Sequence, residues 1–300
     1  MLRRIFVLAT PLAAALAAAS VMLFAQAPAG GGAGKGKAPA PAIVQIKPGL
    51  YEVTGLGGNI SVRVGSDAVL IADTGNLGEE TYQQLLTLVK SVSTLPVKAA
   101  VVTHIHQDHS GNTASFIRDG VPVYAHEGEK ALTATYQTNG KSIAAPSNTF
   151  AKSQNITAGA VKAELYNFGP THTSGDTIVY FPDLKVIHGG DMIVSAAPNC
   201  DYPMGGSVTS WVKAMDEVLK LDFDTVIPGH GNPMTKADVQ AYAQKWKTFV
   251  QRASDEVKKG TAKDALVAAI KVDDLGWNAA SYNQPARIDL FIADLQKNAK

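Results

Sequence analysis

The sequence predicts an α+β domain in which two β-sheets pack face to face and helices cover their outer faces. Residues 43–124 and residues 160–230 each begin with Val- and Ile-rich alternating segments and continue into segments with helical spacing. Neither half closes a core alone, and no repeat with a period of roughly 20–50 residues is visible. The chain of 300 residues is long enough for one large core. Residues 43–300 are therefore predicted to form one domain.

The first half is predicted to run β-β-α-β-α-β. Residues 43–54 and 59–72 alternate apolar and polar side chains, which predicts two consecutive strands joined by a glycine-rich connection. Residues 79–92 carry apolar side chains three or four positions apart, which predicts a helix. The remaining predicted elements of this half are a buried strand at 97–102, a short helix at 111–117 and a strand at 121–124.

The second half is predicted to begin again with strands and to end with helices. Thr235 and Asp238 have the spacing of a capping box, which predicts a helix that ends near Gly260. Thr261 and Asp264 have the same spacing and predict the cap of another helix. The other predicted elements are strands at 160–168, 177–181, 185–188 and 225–227, and helices around 211–219 and 287–298.

The first 42 residues are predicted to lie outside the domain. In residues 1–27, Arg3 and Arg4 precede a long apolar stretch, and Ala25-Gln26-Ala27 offers a small-x-small cleavage site, which is typical of a signal peptide. An uncleaved N-terminal anchor is the alternative, because the stretch is just long enough to span a bilayer. Residues 28–42 are rich in Ala, Gly and Pro and predict a flexible linker. The protein is thus expected to be periplasmic or secreted, with no membrane contact beyond the leader.

Composition restricts the kinds of site and partner. Four of the 27 basic residues and none of the 26 acidic ones precede residue 43, so the domain is slightly acidic and a poor nucleic-acid binder. One Cys excludes an internal disulfide, a Cys-rich zinc module and an iron–sulfur cluster. Any metal must therefore be bound by His and carboxylates. The expected partner is a small-molecule substrate, and the sequence leaves the oligomeric state open.

Four strong metal-ligand candidates lie within six positions, directly after the predicted strand at 97–102. In His104-Ile105-His106-Gln107-Asp108-His109, the alternate residues His104 and His106 can face one ion, and Asp108 and His109 can face a second. Three more candidates follow other predicted strands or turns, beside or near glycines: His172, Asp191 and His230. The pattern predicts a metal site at one sheet edge.

These motifs, His-x-His-x-Asp-His, Thr-His-Thr, Gly-Gly-Asp and Pro-Gly-His-Gly, resemble the ligand motifs of the metallo-β-lactamase superfamily in the same order, over nearly all of residues 43–232. The resemblance implies an αββα sandwich of two mixed β-sheets flanked by helices. It implies a first metal bound by His104, His106 and His172, a second bound by Asp108, His109 and His230, and Asp191 bridging both. Asp73 matches an early Asp of the family that supports the ligand loop; a turn residue is the alternative.

The resemblance further implies a hydrolase with two Zn²⁺ ions, for which iron or manganese are alternatives. A water shared by two zinc ions ionises near neutral pH, and Asp108 would be the catalytic side chain that orients the resulting hydroxide. Together with export, this favours β-lactamase-like hydrolysis of a cyclic amide or lactone. The alternatives are a thioesterase or ester hydrolase of the glyoxalase II type, a phosphodiesterase, and last a non-enzymatic metal-binding module.

The sequence also departs from the class B1 lactamases that it resembles around residues 177–190. Asp191 stands where those enzymes have a metal-binding Cys, Val194 stands where they have a Lys for the substrate carboxylate, and His109 replaces an Arg. These changes favour the ligand set of lactonases and glyoxalase II.

The remaining histidines, His126 and His188, are predicted to be structural, and Cys200 is predicted to be buried or incidental. Residues 55–59 are predicted to be either a mobile substrate loop or a plain hairpin.

Overall fold

The computed structural model describes residues 40–278 and 285–297. The predicted leader lies outside these residues, as does the predicted linker up to residue 39. In the described part of the chain, no helix has both the length and the apolar composition needed to cross a membrane.

The chain forms fifteen strands and eight α-helices within the described residues. The strands are β1 Ala42–Lys47, β2 Leu50–Thr54, β3 Ile60–Val64, β4 Val69–Ala72, β5 Val97–Val101, β6 Val123–His126, β7 Gln137–Thr138, β8 Lys141–Ser142, β9 Asn148–Phe150, β10 Ser153–Ala158, β11 Val161–Tyr166, β12 Ile178–Phe181, β13 Val186–His188, β14 Thr225–Ile227 and β15 Met234–Thr235. The helices are α1 Glu79–Val92, α2 Gln107–Ser110, α3 Thr113–Arg118, α4 Glu127–Leu132, α5 Val208–Val218, α6 Lys236–Lys258, α7 Lys263–Ile270 and α8 Pro285–Lys297.

Two mixed sheets contain most of these strands. The first has the order β1-β2-β3-β4-β5-β6-β9, and the second has the order β10-β11-β12-β13-β14-β15. In the first sheet β4, β5, β6 and β9 run parallel to one another. In the second, β13 and β14 are parallel while β12 is antiparallel to β13. Parallel neighbours are possible because helical segments supply the crossovers between them.

Side-chain alternation explains why both sheets are covered on both faces. In β4, Leu70 and Ala72 contact the core between the sheets, whereas Val69 and Ile71 join a second core that includes α1. In β12, Val179 and Phe181 enter the inter-sheet core, while Ile178 and Tyr180 join a third core with the C-terminal helices. A strand with apolar residues at every position must be buried on both faces. The predicted sandwich with outer helices is therefore confirmed.

Two predicted strands are in fact hairpins. Residues 43–54 split into β1 and β2 around Pro48-Gly49, where Gly49 has a φ of +74°. Residues 59–72 split into β3 and β4 at a turn closed by a 2.8 Å hydrogen bond from the Gly65 amide to the Ala68 carbonyl. The alternation of side chains continues through a tight turn, so the pattern predicted single strands where the backbone reverses.

Helix caps confirm one prediction and correct another. Thr235 and Asp238 form the predicted capping box at the start of α6. Thr261 does not cap α7, because that helix begins after Ala262, which provides no side-chain cap. The Thr261 hydroxyl instead donates a 2.7 Å hydrogen bond to Glu256 at the end of α6.

Glu129 in α4 is a buried carboxyl group beneath the loop that carries His172. Its side chain is 1% exposed, and neither oxygen has a hydrogen-bond partner among the described residues. An alanine Cβ built at Gly175 would lie 2.8 Å from the Glu129 Cβ, so the two segments are in close contact. Burial raises the pKa of Glu129 to about 8, and the folded protein therefore retains this proton at neutral pH.

We expect Glu129 to make the metal-free protein less stable as the pH rises. An unfolded carboxyl group loses its proton near pH 4.3, so between that pH and about 8 the unfolded state binds fewer protons and the free energy of unfolding falls. Glu129→Gln should remove this dependence, which amounts to about 3 kcal/mol between pH 5 and 7.5. Urea denaturation at a series of pH values, with a chelator present, measures the free energy of unfolding of each variant. The exposed neighbour Glu127→Gln is the control, and an unchanged pH slope in Glu129→Gln would contradict the assignment.

Candidate metal centre

All candidate ligands lie at one edge of the sandwich, because the strands that precede them end there. His104 follows β5, Asp191 follows β13 and His230 follows β14, and the latter two strands are parallel. His172 precedes β12, which is antiparallel to β13, so the start of β12 lies at the same edge. Backbone hydrogen bonds of 2.8 Å from Thr177 to Thr103 and from Asn59 to Gly229 join the loops of the two sheets.

The side chains form two adjacent clusters. The first contains His104, His106, His172 and Asp191, and the second contains Asp108, His109 and His230. In the first cluster His172 Nε2 lies 2.8 Å from His106 Nδ1. In the second, His230 Nε2 lies 3.2 Å from both His109 Nε2 and Asp108 Oδ2.

Asp191 faces both clusters with different oxygens. Its Oδ2 is 3.6 Å from His172 Nε2, while its Oδ1 is 3.3 Å from His109 Nε2 and 3.4 Å from His230 Nε2. The structure thus brings all seven sequence-predicted ligands together and places Asp191 between the two groups. Their roles in binding metal remain predictions.

Hydrogen bonds at the far side of three of the imidazoles determine which nitrogen carries the proton. His172 Nδ1 contacts the Asn199 carbonyl, His106 Nε2 lies 2.9 Å from Asp201 Oδ2, and His109 Nδ1 lies 2.7 Å from Asp73 Oδ2. Because these oxygens accept, the facing nitrogen in each neutral ring must donate. The other nitrogen of each ring then presents a lone pair to the centre of its cluster, as metal-bound histidines do.

This arrangement fits metal ions. In neutral rings of this form the lone pairs of His172 Nε2 and His106 Nδ1 face each other at 2.8 Å, which is repulsive unless a proton or a metal ion lies between them. His104 Nε2 and Asp191 Oδ1 are buried with no hydrogen-bond partner among the described residues, and such groups cost free energy unless something satisfies them. Imidazole and carboxylate donors suit zinc, and also iron and manganese. The residues present therefore form two candidate His/Asp sites of a binuclear metal centre.

Asp73 lies beneath the ligand loop and is completely buried. Its carboxylate accepts hydrogen bonds from the Thr103 amide and hydroxyl at 2.8 and 2.9 Å, and from His188 Nε2 at 2.9 Å, besides His109. Burial would raise the pKa of Asp73, but the charge and hydrogen bonds of His109 and His188 lower it below its usual range. Its φ of +68° is an unusual backbone conformation for a non-glycine residue. Asp73 therefore holds the loop rather than only forming a turn.

Glycines allow the backbone to approach the ligands closely. A Cβ at Gly58 would lie 2.2 Å from the His109 ring, and a Cβ at Gly229 would lie 2.2 Å from Asp191 Oδ1. Gly58 also donates a 3.0 Å backbone hydrogen bond to Asp108. Gly57 and Gly58 are thus packed against the segment that carries Asp108 and His109. Because β2 and β3 pair as antiparallel neighbours, this packing favours the plain hairpin over the mobile substrate loop.

Three residues that support the ligands were not identified from the sequence as part of the site. Asp201 and Asn199 lie in the loop after Asp191, outside any recognisable spacing. His188 was predicted to be structural, but it links Asp73 to Ser61, whose hydroxyl lies 2.9 Å from His188 Nδ1. Its place directly before Gly-Gly-Asp was the available signal.

The other two residues that the sequence placed outside the site have structural surroundings. The His126 ring accepts a hydrogen bond from the Gly128 amide and contacts the Ala151 carbonyl. Cys200 is buried.

The two clusters differ in how strongly protons compete with metal. Burial, together with the charges of neighbouring histidines, lowers the pKa of His104 well below its usual range; burial also lowers that of His172. In the second cluster burial opposes protonation of His109, but the carboxylates of Asp191 and Asp73 raise its pKa well above the usual range. The hydrogen bond with Asp108 raises the pKa of His230.

We therefore expect the second cluster to lose its metal first on acidification. Protons compete more strongly with metal for a ligand whose pKa is raised. The pKa values of His109 and His230 are raised, whereas that of His104 is lowered. Between pH 7.5 and 5.5 the metal content should fall from two ions to one per chain. Equilibrium dialysis followed by elemental analysis measures this change. Loss of both ions in a single step would contradict the assignment.

Comparison with known proteins identifies the family. The model of the metallo-beta-lactamase superfamily matches residues 53–230, which is more than half of the chain. The chain belongs to this superfamily. Within it, the chain is 26% identical over 199 residues to the alpha subunit of 2,4-dinitroanisole O-demethylase from Nocardioides sp. (strain JS1661), covering 64% of this chain and 60% of that protein. It is 29% identical over 154 residues to metallo-beta-lactamase IND-1 from Chryseobacterium indologenes, which covers 50% of this chain and 62% of that protein.

A third relative and a solved structure extend the comparison. A linear primary-alkylsulfatase from Pseudomonas sp. (strain ATCC 19151) is 21% identical over 260 residues, covering 69% of this chain and 48% of the relative. The chain thus spans about half to three fifths of the length of these relatives. The structure of a metallo-beta-lactamase from Pontibacter korlensis matches with a TM-score of 0.61 and 25% identity, covering 69% of this chain and 99% of that one. Fold, family and clusters together show a metallo-beta-lactamase fold that carries two candidate His/Asp metal sites.

Proposed function

We propose that this chain is an exported two-zinc hydrolase that opens the ring of a cyclic amide or lactone. The observation that carries the proposal is the pair of His/Asp clusters with Asp191 between them. When bound, two zinc ions supply hydroxide at neutral pH and polarise the substrate oxygen. Export is proposed from the predicted signal peptide in residues 1–27, and a small molecule is the proposed partner.

The side chains at the open side of the site set the direction of attack. Side-chain exposure is 42% for His230 and 29% for Asp108, whereas His104 and His109 are buried. Burial would raise the pKa of Asp108, but the hydrogen bond from His230 and the charge of His109 lower it. Asp108 therefore stays ionised and can accept a proton from the attacking water. Substrate enters on this side, and Asp108 orients the nucleophile.

Val194 favours a lactone over a typical β-lactam. Its side chain is 6% exposed and packs in the core formed with the C-terminal helices, so this position provides no charge for a substrate carboxylate. The Tyr136 ring, 5.8 Å from the ring of His106, adds an aromatic wall beside the first cluster. A neutral, partly apolar cyclic ester suits such surroundings.

Ester, thioester and phosphodiester hydrolysis are the second group of candidate functions. The ligand set contains His and Asp but no Cys, as in the glyoxalase II type that the sequence resembles. The names of two relatives, an O-demethylase subunit and an alkylsulfatase, show that chemistry other than lactam hydrolysis occurs among similar proteins. A non-enzymatic metal-binding role is least favoured, since both clusters are complete.

A substrate panel with metal removal tests the proposal. The purified full chain, loaded with zinc, is assayed with γ- and δ-lactones, a chromogenic cephalosporin, a thioester and a phosphodiester. We expect lactone or lactam hydrolysis that disappears with a chelator and returns with zinc. Chelation should also lower the melting temperature, because ions present at 100 times their Kd stabilise by about 2.7 kcal/mol. A protein with two zinc ions that hydrolyses only the thioester or the phosphodiester, or none of the compounds, would refute the proposal.

A further inference from the structure

The C-terminal helix α8 contacts the loop that supports the first metal cluster. This helix begins more than 50 residues beyond the segment matched by the family model, so its role does not follow from family membership. Arg287, in its first turn, donates from Nη1 to Asn199 Oδ1 at 2.7 Å and to the Cys200 carbonyl at 3.5 Å. These two acceptors belong to adjacent residues of one loop.

The same short loop holds two of the metal-cluster histidines. The Asn199 carbonyl accepts from His172 Nδ1, and the Asp201 carboxylate accepts from His106 Nε2 at 2.9 Å. The Asp201 amide also donates a 2.8 Å hydrogen bond to the His172 carbonyl. Residues 199–201 therefore determine both the protonated nitrogen and the ring orientation of His172 and His106.

A second contact from α8 lies at the other end of the segment that runs from residue 199 to residue 209. The Asp294 carboxylate accepts hydrogen bonds from the hydroxyls of Ser207 at 2.8 Å, Thr209 at 2.6 Å and Tyr202 at 3.1 Å. The segment from residue 199 to residue 209 therefore contacts α8 at both of its ends. Arg287 Nη1 carries two N–H groups in the rigid plane of the guanidinium, so this one nitrogen can donate to both acceptors.

We infer that Arg287 is a positioning residue for the first metal: by fixing residues 199–201, it holds His172 Nε2 and His106 Nδ1 in the orientation that binds the ion. The inference rests on the proposed metal centre but on no particular substrate. Hydrogen-bond partners of metal-binding histidines typically contribute 10–100-fold to metal affinity or activity. Arg287 acts one step further out, through Asn199 and Asp201, so we expect the lower end of that range.

Metal affinity of the full chain tests the inference directly. Arg287→Met keeps the aliphatic stem but removes the donors, and Arg287→Lys keeps one donor group. The control is Leu290→Ala, which changes an α8 side chain that is 45% exposed. We expect about 10-fold weaker binding of the first zinc in Arg287→Met, partial recovery in Arg287→Lys and no change in Leu290→Ala. Competition with a chromogenic chelator measures affinity, and the visible spectrum of the cobalt-loaded protein should change in Arg287→Met.

A double variant tests whether the effect passes through Asn199. If it does, Arg287→Met combined with Asn199→Ala should bind zinc no more weakly than the worse single variant, because both remove one linked interaction. Additive losses would overturn the inference. Wild-type affinity and cobalt spectrum in Arg287→Met, with only KM raised for anionic substrates, would also overturn it, since Arg287 would then contact substrate.

The result also separates this inference from the proposed function. If the wild-type chain binds two metal ions but hydrolyses none of the panel, the proposed function fails while the affinity comparison remains valid. If the panel succeeds and Arg287→Met binds zinc as the wild type does, the inference fails and the proposed function stands.

Discussion

Replacing Asp191 by asparagine is expected to reduce kcat/KM by about 1,000-fold or more and to leave at most one metal ion per chain. Asp191 presents Oδ2 to the first cluster and Oδ1 to the second. Asparagine has nearly the same shape but no negative charge, so two nearby cations would lose the carboxylate that lies between them. The other donors of each cluster remain, and the first cluster retains three histidines.

Elemental analysis and steady-state kinetics measure the two effects of Asp191→Asn. The control is Asp222→Asn, which removes an equivalent charge from an exposed ion pair with Lys185; surface pairs of this kind contribute little. The control should bind metal and hydrolyse substrate as the wild type does. If Asp191→Asn bound two zinc ions per chain with normal turnover, the bridging assignment would be wrong.

Replacing Asp73 by asparagine is expected to weaken binding of the second metal by about 10–100-fold. The Asp73 carboxylate makes His109 protonate at Nδ1, which leaves Nε2 for the metal. An amide can donate as well as accept, so it no longer selects that form of the ring. Asparagine tolerates a φ of +68° better than alanine does, so the backbone conformation should be preserved. The change therefore tests the hydrogen bonds.

The matched control for Asp73→Asn is Ser61→Ala, at the far end of the same chain of hydrogen bonds. Ser61 contacts His188, which contacts Asp73, so its removal should have a smaller effect on the second metal than Asp73→Asn. Stability should also fall in Asp73→Asn by about 1–3 kcal/mol for each buried donor left unsatisfied. Denaturation of the metal-free proteins measures this loss. Equal zinc affinity in Asp73→Asn and wild type would show that Asp73 does not support the ligand.

The clustering of the candidate ligands could be predicted from the sequence because they are concentrated in short motifs after strands. The spacing of His104, His106, Asp108 and His109 is rare in a chain with seven histidines, and each distant ligand lies near a glycine. The sandwich followed from the similar order of the two halves, each of which begins with Val- and Ile-rich strand segments and continues into segments with helical spacing.

The supporting residues could not be predicted because their partners are distant in the sequence. Asp201 lies 95 residues from His106, and Arg287 lies 88 residues from Asn199. A single Asp or Arg in a loop has no spacing that distinguishes it from a surface residue. The hairpins in the first sheet were missed for the opposite reason: their alternation is local and regular, and only Pro48-Gly49 marks the first reversal.

The number of zinc ions that the full chain binds is the most direct test of a binuclear centre. Elemental analysis after dialysis at pH 7.5 against a low, buffered zinc concentration measures it. The two clusters with Asp191 between them predict two ions per wild-type chain and at most one in Asp191→Asn. A wild-type chain that binds one ion or none under these conditions would contradict the account.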